Sequence, residues 1–230
     1  MTVQVHPTAA GTAAALADLV TIAVGRGERN IALAGGSTPL AAYGLLAEAA
    51  GVDWSTTTLW IGDERWVPVD HPDSNAGAAR EAFVDAVGAE LLAPDYGLGD
   101  PHASAADYEA RLDEVFARDG GPGLVLLGVG DDGHTASLFP GTEALDVDRA
   151  GFVANWVPTH GVWRLTATLP LIWAARRIVF AAVGEAKAAV VAEIIDGAVA
   201  HPAQRAASGG NDVTWLLDAA AASHLRKHGT

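Results

Sequence analysis

Short apolar runs alternate along the chain with Ala- and Leu-rich stretches whose apolar positions recur at helical spacing. NIALAGG predicts a strand that ends in glycines. STPLAAYGLLAEAA predicts the helix that follows, with Ser37 or Thr38 as its N-cap and Pro39 in its first turn. TTLWIGDER predicts a second strand as far as Gly62, and DSNAGAAREAFVDAVG predicts a helix that begins near Ser74.

The alternation continues in the second half of the chain. SAADYEARLDEVFARDGG has helical spacing and leads into the buried strand LVLLGVG. FVANWV, WRLTATL and RRIVFAAVG predict strands, EAKAAVVAEIIDG predicts a helix, and DVTWLLDAAAASHL predicts a last strand and helix. Alternating strands and helices are typical of α/β folds, so we predict a largely parallel sheet flanked by helices on both faces, with a small mixed β extension.

The composition indicates a globular domain. Half of the 230 residues are hydrophobic (50%) and no Pro- or Ser-rich linker, charge block or internal repeat divides the chain, so a single domain over 1–230 is expected. The absence of cysteine excludes disulfides, thiolate zinc sites and cysteine nucleophiles. The histidines show no H-x-x-E-H spacing, so no metal is predicted.

The formal net charge of −14 argues against a nucleic-acid partner, which would require a cationic surface. The N-terminal run TAAGTAAALADLVTIAVG has no Lys or Arg before Arg26 and contains Asp18, which indicates an amphipathic helix rather than a signal peptide. No apolar run reaches the length of about 18 residues that a membrane span requires. A cytoplasmic protein without a membrane partner is expected, as a monomer or at most a weak homodimer.

The stretch GVGDDGHTASLFP, residues 128–140, follows the strand LVLL and allows two interpretations. Its first residues have the G-x-G-x-x-G spacing of a dinucleotide-binding loop. However, Asp131 and Asp132 would lie beside the pyrophosphate, and the sequence Phe-Pro-Gly ends any helix within two turns. The stretch therefore does not favour a dinucleotide cofactor.

The second interpretation is a tight turn, formed by Gly130, Asp131, Asp132 and Gly133, that presents His134 to a site. Histidine can accept a proton near neutral pH and return it, and a neighbouring aspartate can fix its tautomer. The alternative is a histidine on the surface or at a helix cap. The preceding strand, the glycines and the two aspartates favour a functional histidine.

The sequence GGSTP is a candidate anion site. Gly35 and Gly36 allow the backbone to approach a ligand closely, and the helix N-terminus with the Ser37 and Thr38 hydroxyls can donate to an anion. On its own, the same sequence is also typical of a well-capped helix.

Three basic side chains lie near these motifs in a chain where only two of the 14 basic residues are lysines. Arg65 follows two acids at a strand end, where it can form an ion pair or bind phosphate or a developing oxyanion. Lys187 begins a helix after a strand and suits a phosphate as a point charge, and Arg164 at a strand start can join it. A solvated helix face is the alternative for Lys187.

The motifs LAGGSTP, IGDERWVPVDHPDSN and LLGVGDDGHTASLFPG together resemble the 6-phosphogluconolactonase family, within the superfamily that includes glucosamine-6-phosphate isomerases. RLTATLPLI, VGEAK, HPA and WLLD follow in the family's order, so the resemblance covers about residues 30 to 220. It implies a modified Rossmann-like fold of the deaminase/isomerase type. It also implies hydrolysis of 6-phospho-D-glucono-1,5-lactone to 6-phospho-D-gluconate, in the oxidative pentose phosphate pathway, without a cofactor.

The resemblance also implies roles for the candidate residues. The 6-phosphate of the sugar-phosphate lactone would lie on the turn of residues 35–38, neutralised by Arg164 and Lys187. His134 would act as general base on the attacking water and then protonate the leaving ring oxygen. Arg65, with backbone N–H groups of the turn 130–133, would stabilise the oxyanion, and Asp63 would be an orienting group.

Two other functions are open. The glucosamine-6-phosphate deaminases carry a similar DGH turn but have a glutamate before the proline, where this chain has Phe139. A sugar-phosphate sensor of the same fold, as in some bacterial repressors, would need a DNA-binding segment and a basic surface, and the charge of −14 argues against it.

Overall fold

Ten strands and eight α-helices make up the computed structural model, which describes residues 1–197 and 199–226. The strands are β1 Thr2–His6, β2 Asn30–Leu33, β3 Thr58–Ile61, β4 Asp63–Arg65, β5 Glu90–Leu92, β6 Leu124–Leu127, β7 Phe152–Val157, β8 Val162–Ala167, β9 Arg177–Ala182 and β10 Val213–Asp218. The α-helices are α1 Ala9–Gly25, α2 Ser37–Glu48, α3 Asn75–Ala79, α4 Asp85–Val87, α5 Pro101–Asp119, α6 Leu169–Trp173, α7 Ala188–Ile195 and α8 Pro202–Gly209. A π-helical turn, Arg80–Val84, joins α3 to α4, and a 3₁₀ turn, Glu185–Lys187, precedes α7.

The strands form two sheets. Seven strands, in the order β1-β10-β9-β6-β2-β3-β5, pair in parallel throughout. The remaining three form a small antiparallel sheet in the order β4-β8-β7. The predicted α/β class with a largely parallel sheet and a small β extension is confirmed, and the extension is antiparallel.

Helices cover both faces of the large sheet because its central strands are apolar on both sides. Successive residues of β2 point to opposite faces: Ile31 and Leu33 belong to the core under α1, α2 and α3, whereas Ala32 belongs to the core under α5 to α8. Leu126 and Leu127 of β6 divide in the same way. No helix in the described ranges is both long and apolar enough to cross a bilayer.

The structure adds strands that were not predicted and corrects one predicted helix. The edge strand β1, TVQVH, was not predicted, although Val3 and Val5 alternate with polar residues; most of its positions are exposed. The predicted last helix is wrong: after β10 the chain forms turns, in which the Asp218 carboxylate accepts hydrogen bonds from Ala221 N and Gly184 N. The strand predicted in TTLWIGDER as far as Gly62 is confirmed as β3, and the residues after Gly62 form β4 of the small sheet, which was not predicted.

Gly62 is where the chain leaves the large sheet for the small one. Its N–H donates to the Leu33 carbonyl of β2, and its own carbonyl accepts from Ala167 N at the end of β8. The segment Asp63–Arg65 is thereby placed above the carboxyl ends of the parallel strands, where ligands of open α/β sheets bind.

Candidate active site

A cavity of about 330 Å³ lies at the carboxyl ends of β2, β6 and β9, with the small sheet on one side. It brings together most of the residues singled out in the sequence. The predicted residues that line it are Gly35, Gly36, Ser37, Thr38, Asp63, Arg65, Gly130, His134, Arg164 and Lys187. Asp131, Asp132 and Gly133 do not line it but form the turn that holds His134.

The GGSTP turn presents an open helix N-terminus to this cavity. Gly36 has φ +101° and is the N-cap of α2, so the expectation that Ser37 or Thr38 would cap the helix is wrong. No side chain caps α2, which leaves its first amide groups available to an anion. Gly35 is required by close packing, because a Cβ there would lie 2.0 Å from Asn75 Oδ1.

Asn75 was not predicted and ties two parts of the site together. Its amide Nδ2 donates to the Asp63 carbonyl at 2.7 Å, and its side chain fills the space beside Gly35. Its position could have indicated a role, because Asn75 directly follows Ser74, the residue that caps α3 by accepting from Gly77 N. Asn75 therefore fixes the distance between the GGSTP turn and β4.

Arg65 and Arg164 face the cavity from neighbouring strands. They are direct partners in the antiparallel register of β4 and β8. The Nε atoms of both side chains are buried without a hydrogen-bond partner, and Arg65 Nη1 donates to the Asp73 carbonyl at 2.8 Å. Burial, and then the charge of Arg65, lower the pKa of Arg164. Two partly buried, adjacent guanidinium groups whose Nε atoms have no partner form a site for an anion.

The buried carboxylate of Glu64 anchors β4 to the start of α3. It is 5% exposed and accepts from the backbone N–H groups of Arg65, Asn75 and Ala76, and from Ser74 Oγ, at 2.7 to 3.1 Å. Because Glu64 lies between Asp63 and Arg65, this anchor fixes the position of both side chains in the cavity wall.

Glu64→Gln is expected to lower the free energy of unfolding by about 1–3 kcal/mol, because an amide NH₂ would replace an oxygen that accepts from buried donors. Urea unfolding of the variant measures this change. Glu81→Gln, at an exposed glutamate of the neighbouring π-turn, is the matched control and should change the midpoint little. Equal midpoints for the two variants would contradict the anchoring role of Glu64.

The turn 130–134 holds His134 through its own backbone. Gly130 N donates to the His134 carbonyl at 2.8 Å, and Gly133 N donates to the Gly130 carbonyl at 3.0 Å. Gly133 has φ +77°, a conformation that favours glycine. The amide groups of Gly130 and Gly133 are therefore engaged within the turn, which corrects the expectation that they would bind an oxyanion.

Asp132 is the carboxylate that contacts His134. Its Oδ1 lies 2.6 Å from His134 Nδ1 and accepts from the His134 backbone N–H at 3.1 Å. Burial raises the pKa of Asp132, but the hydrogen bonds from the backbone and ring of His134 lower it more, so its net pKa lies below the ordinary value. A carboxylate at Nδ1 places the proton there and leaves the lone pair on Nε2.

Asp63 does not orient His134, in contrast to the role expected of it. Its Oδ2 accepts from Ser137 Oγ at 2.6 Å, and both side chains are buried. Ser137 was not predicted, although it lies three residues after His134 in the most specific motif. The Ser137 hydroxyl fixes the Asp63 carboxylate in the cavity wall near Arg65.

One aromatic ring contacts His134, and a second histidine packs against that ring. Phe139 stacks on the His134 ring with centroids 4.0 Å apart and an interplanar angle of 25°. His160, in the turn between β7 and β8, packs against Phe139 with centroids 5.3 Å apart and also lines the cavity. His160 was not predicted as a site residue. The stacking on Phe139 restricts His134 to one orientation.

His201 supports the turn from outside. A Cβ at Gly133 would lie 2.2 Å from His201 Nδ1, and His201 Nε2 lies 2.8 Å from Glu193 Oε2. Ala203 N donates to the Gly133 carbonyl at 3.0 Å. The HPA motif thus packs directly on the turn, a contact that its position about 70 residues later in the chain did not indicate.

Residues 6–215 match the family described as Glucosamine-6-phosphate isomerases/6-phosphogluconolactonase. The chain belongs to this family. A 6-phosphogluconolactonase of Synechocystis sp. is 42% identical over 212 residues, which cover 87% of this chain and 86% of the relative. The family membership that the motifs indicated is confirmed.

Solved structures of the family share the fold. The 6-phosphogluconolactonase from Trypanosoma cruzi is 30% identical and superposes with a TM-score of 0.86, covering 97% of this chain and 96% of that chain. A monomeric glucosamine-6-phosphate deaminase, 23% identical, superposes with a TM-score of 0.84 over 97% of this chain and 100% of that chain. The fold is thus common to two activities, and the site must distinguish them.

Gly130→Ala tests whether the turn of this family member positions the histidine. A Cβ at residue 130 would lie 2.0 Å from His134 Nδ1 and 2.8 Å from Asp132 Oδ1, so the ring must move. A displacement of about 1 Å can cost up to about 100-fold in rate. We expect kcat for lactone hydrolysis to fall about 10- to 100-fold, with near-normal stability.

The control for this variant is Gly44→Ala, at an exposed position of α2 where an added Cβ meets no atom within 4 Å. Lactone hydrolysis and thermal unfolding are measured for both variants. Full activity of Gly130→Ala would contradict the structural reason given for this glycine.

Proposed function

We propose that the chain hydrolyses 6-phospho-D-glucono-1,5-lactone to 6-phospho-D-gluconate. The lactone-hydrolase class predicted from the sequence is that of its named relatives. The observation that carries the proposal is the composition of the cavity, which joins a carboxylate-held histidine, His134, to two arginines with unpartnered, buried Nε atoms. A lactone that carries a phosphate needs both a base and an anion site.

The phosphate end of the substrate binds at the N-terminus of α2. The uncapped amide groups that follow Gly36, with the hydroxyls of Ser37 and Thr38, donate to the phosphate oxygens. Arg164 and Lys187, which line the same cavity, supply positive charge. When this end of the substrate is fixed, the lactone carbonyl at the other end is held close to the catalytic groups, and the attack proceeds as a unimolecular step within the complex.

The lactone carbonyl lies near His134 and Arg65. His134 Nε2 takes a proton from a water molecule while the water oxygen bonds to the carbonyl carbon. The carbonyl oxygen gains the negative charge, and the guanidinium of Arg65 donates to it. When the tetrahedral intermediate collapses, the bond from carbon to the ring oxygen breaks and the protonated His134 returns the proton to that oxygen. Asp132 stabilises the protonated ring throughout.

Phe139 distinguishes this reaction from deamination on the same fold. It occupies the position before Pro140, where the deaminase motif has a glutamate, and it stacks on His134. A phenyl ring can neither donate nor accept the proton that ring opening of an amino sugar phosphate requires.

The mechanism uses side chains of one chain, which supports a monomer as the active species. The small sheet supplies Arg65 and Arg164 to the cavity and is joined to the large sheet through the hydrogen bonds of Gly62, which supports a single domain. We further propose a cytoplasmic site of action, with the sugar-phosphate lactone as the partner and no cofactor.

The test of the function is hydrolysis of 6-phosphogluconolactone, generated in situ, measured above its spontaneous rate. Strong acceleration is expected, and far weaker acceleration with the unphosphorylated 1,5-lactone. No acceleration would contradict the proposal. Release of ammonia from glucosamine 6-phosphate, measured in parallel, would instead support the activity of the deaminase that shares the fold.

A further inference from the structure

Lys187 is the one cation in the cavity wall of the described residues that forms an ion pair with a carboxylate. Its Nζ lies 2.5 Å from Asp131 Oδ1. The Lys187 side chain is 26% exposed and lines the cavity, whereas that of Asp131 is 79% exposed and lies outside the lining. The Nε atoms of Arg65 and Arg164, by contrast, have no partner. The charge of Lys187 is therefore already partly neutralised before any ligand binds.

A phosphate that binds to Lys187 must compete with Asp131. An ammonium group has three donors, so geometry alone would allow it to contact both anions. The two anions would then lie on the same cation and repel each other. Because Asp131 is exposed, its carboxylate gains full hydration when it leaves, and this makes Asp131 the partner that is displaced.

We propose that Asp131 is an internal competitor for the phosphate subsite, and that Lys187 exchanges the Asp131 carboxylate for the substrate's phosphate on binding. This inference rests on the proposed position of the phosphate. Asp131 thereby sets how tightly the phosphate is held, and limits how long a phosphorylated product remains bound. It acts only through Lys187, unlike Asp132, its neighbour in the turn, which contacts His134.

The probe is inorganic phosphate, titrated calorimetrically into the wild-type protein, Asp131→Asn, Lys187→Met and the double variant. Exposed ion pairs contribute modestly, so Asp131→Asn should tighten phosphate binding about two- to fivefold. In the Lys187→Met background, the same change at Asp131 should not alter phosphate affinity, because the ammonium group for which Asp131 and phosphate compete is absent.

The matched control is Glu185→Gln. Glu185 is exposed, lies two residues from Lys187 in the same 3₁₀ turn and does not line the cavity. Its removal changes the net charge by the same amount, so it should alter phosphate affinity by much less than Asp131→Asn.

Several results would overturn the inference. Equal tightening by Asp131→Asn with and without Lys187 would indicate general electrostatics, as would an equal effect of Glu185→Gln. Weaker phosphate binding by Asp131→Asn would mean that Asp131 positions Lys187 instead of competing. An unchanged phosphate affinity in Asp131→Asn, or no phosphate binding to the wild-type protein, would contradict the proposed exchange.

The titration requires no turnover, so it separates this inference from the proposed function. A wild-type protein that hydrolyses the lactone, combined with an unaffected Asp131→Asn titration, would overturn the exchange and leave the function. The expected titrations, combined with no hydrolysis, would overturn the function and leave the phosphate subsite with its competitor.

Discussion

Replacing His134 by alanine is expected to lower kcat for 6-phosphogluconolactone hydrolysis by about 10²–10⁴, the usual contribution of a positioned general base. In the proposed mechanism the imidazole takes the proton from water and returns it to the ring oxygen. Its Nδ1 is held by Asp132 and its ring by Phe139, which fix its position in the cavity wall. Binding of inorganic phosphate should change by less than about twofold, because the phosphate is proposed to bind at the N-terminus of α2 and not to His134.

The matched control for His134→Ala is His224→Ala, at an exposed histidine in the turns after β10. Both variants are assayed by single-turnover hydrolysis and by phosphate titration. Retention of most of the rate in His134→Ala would remove this histidine as the base. A loss of phosphate binding together with rate would instead indicate that the variant has disturbed the whole cavity.

The strand ends at which the site forms were predictable, because polar, glycine-containing turns followed three apolar runs. The structure places all three turns around one cavity. The pairing of side chains was not predictable in the same way. Asp132 is two residues from His134, and Asp63 was an equally reasonable partner by charge. Only the fold shows that Asp63 is engaged by Ser137, 74 residues away.

Other features of the site were missed because their causes are long-range. Glycine is required at position 35 because Asn75 packs against it, and at position 133 because His201 does. Both contacts join segments that are distant in sequence. A sequence pattern reports which residues are apolar and where turns occur, but not which turn meets which. The last predicted helix was wrong: the chain after β10 forms turns, and the Asp218 carboxylate at their start accepts from Gly184 N, a contact between distant segments that the sequence did not indicate.

The distribution of charge is more informative than its total. The chain carries a net charge of −14, yet two arginines stand opposite each other on β4 and β8 in the cavity. Like charges opposite each other on neighbouring strands destabilise a sheet, and burial adds to the cost. An arrangement of this kind is expected where binding of an anion offsets the repulsion, and the phosphate and the developing oxyanion are two such anions.

The two arginines should therefore differ in which kinetic constant they control. Arg65 is two residues from Asp63 on β4, and Asp63 accepts from Ser137, three residues after His134. As the proposed oxyanion donor, Arg65 should matter for the chemical step, so Arg65→Met should lower kcat by about 10²–10³. Arg164→Met should mainly raise KM, because its proposed role is to hold the phosphate equally in the ground state and the transition state. Steady-state kinetics of the two variants measure this division.

Arg80→Met, at an exposed arginine that follows α3 and does not line the cavity, is the matched control for Arg65→Met and should leave both constants nearly unchanged. Arg65→Lys separates charge from shape: a lysine keeps the charge but lacks the planar guanidinium and its Nε–H, so most of the kcat loss should persist. Recovery of the wild-type rate in Arg65→Lys would mean that the oxyanion needs only a nearby positive charge. A rise in KM with unchanged kcat in Arg65→Met would contradict the oxyanion role of Arg65. The lost interaction would then be one made equally in the ground state and the transition state, as proposed for Arg164.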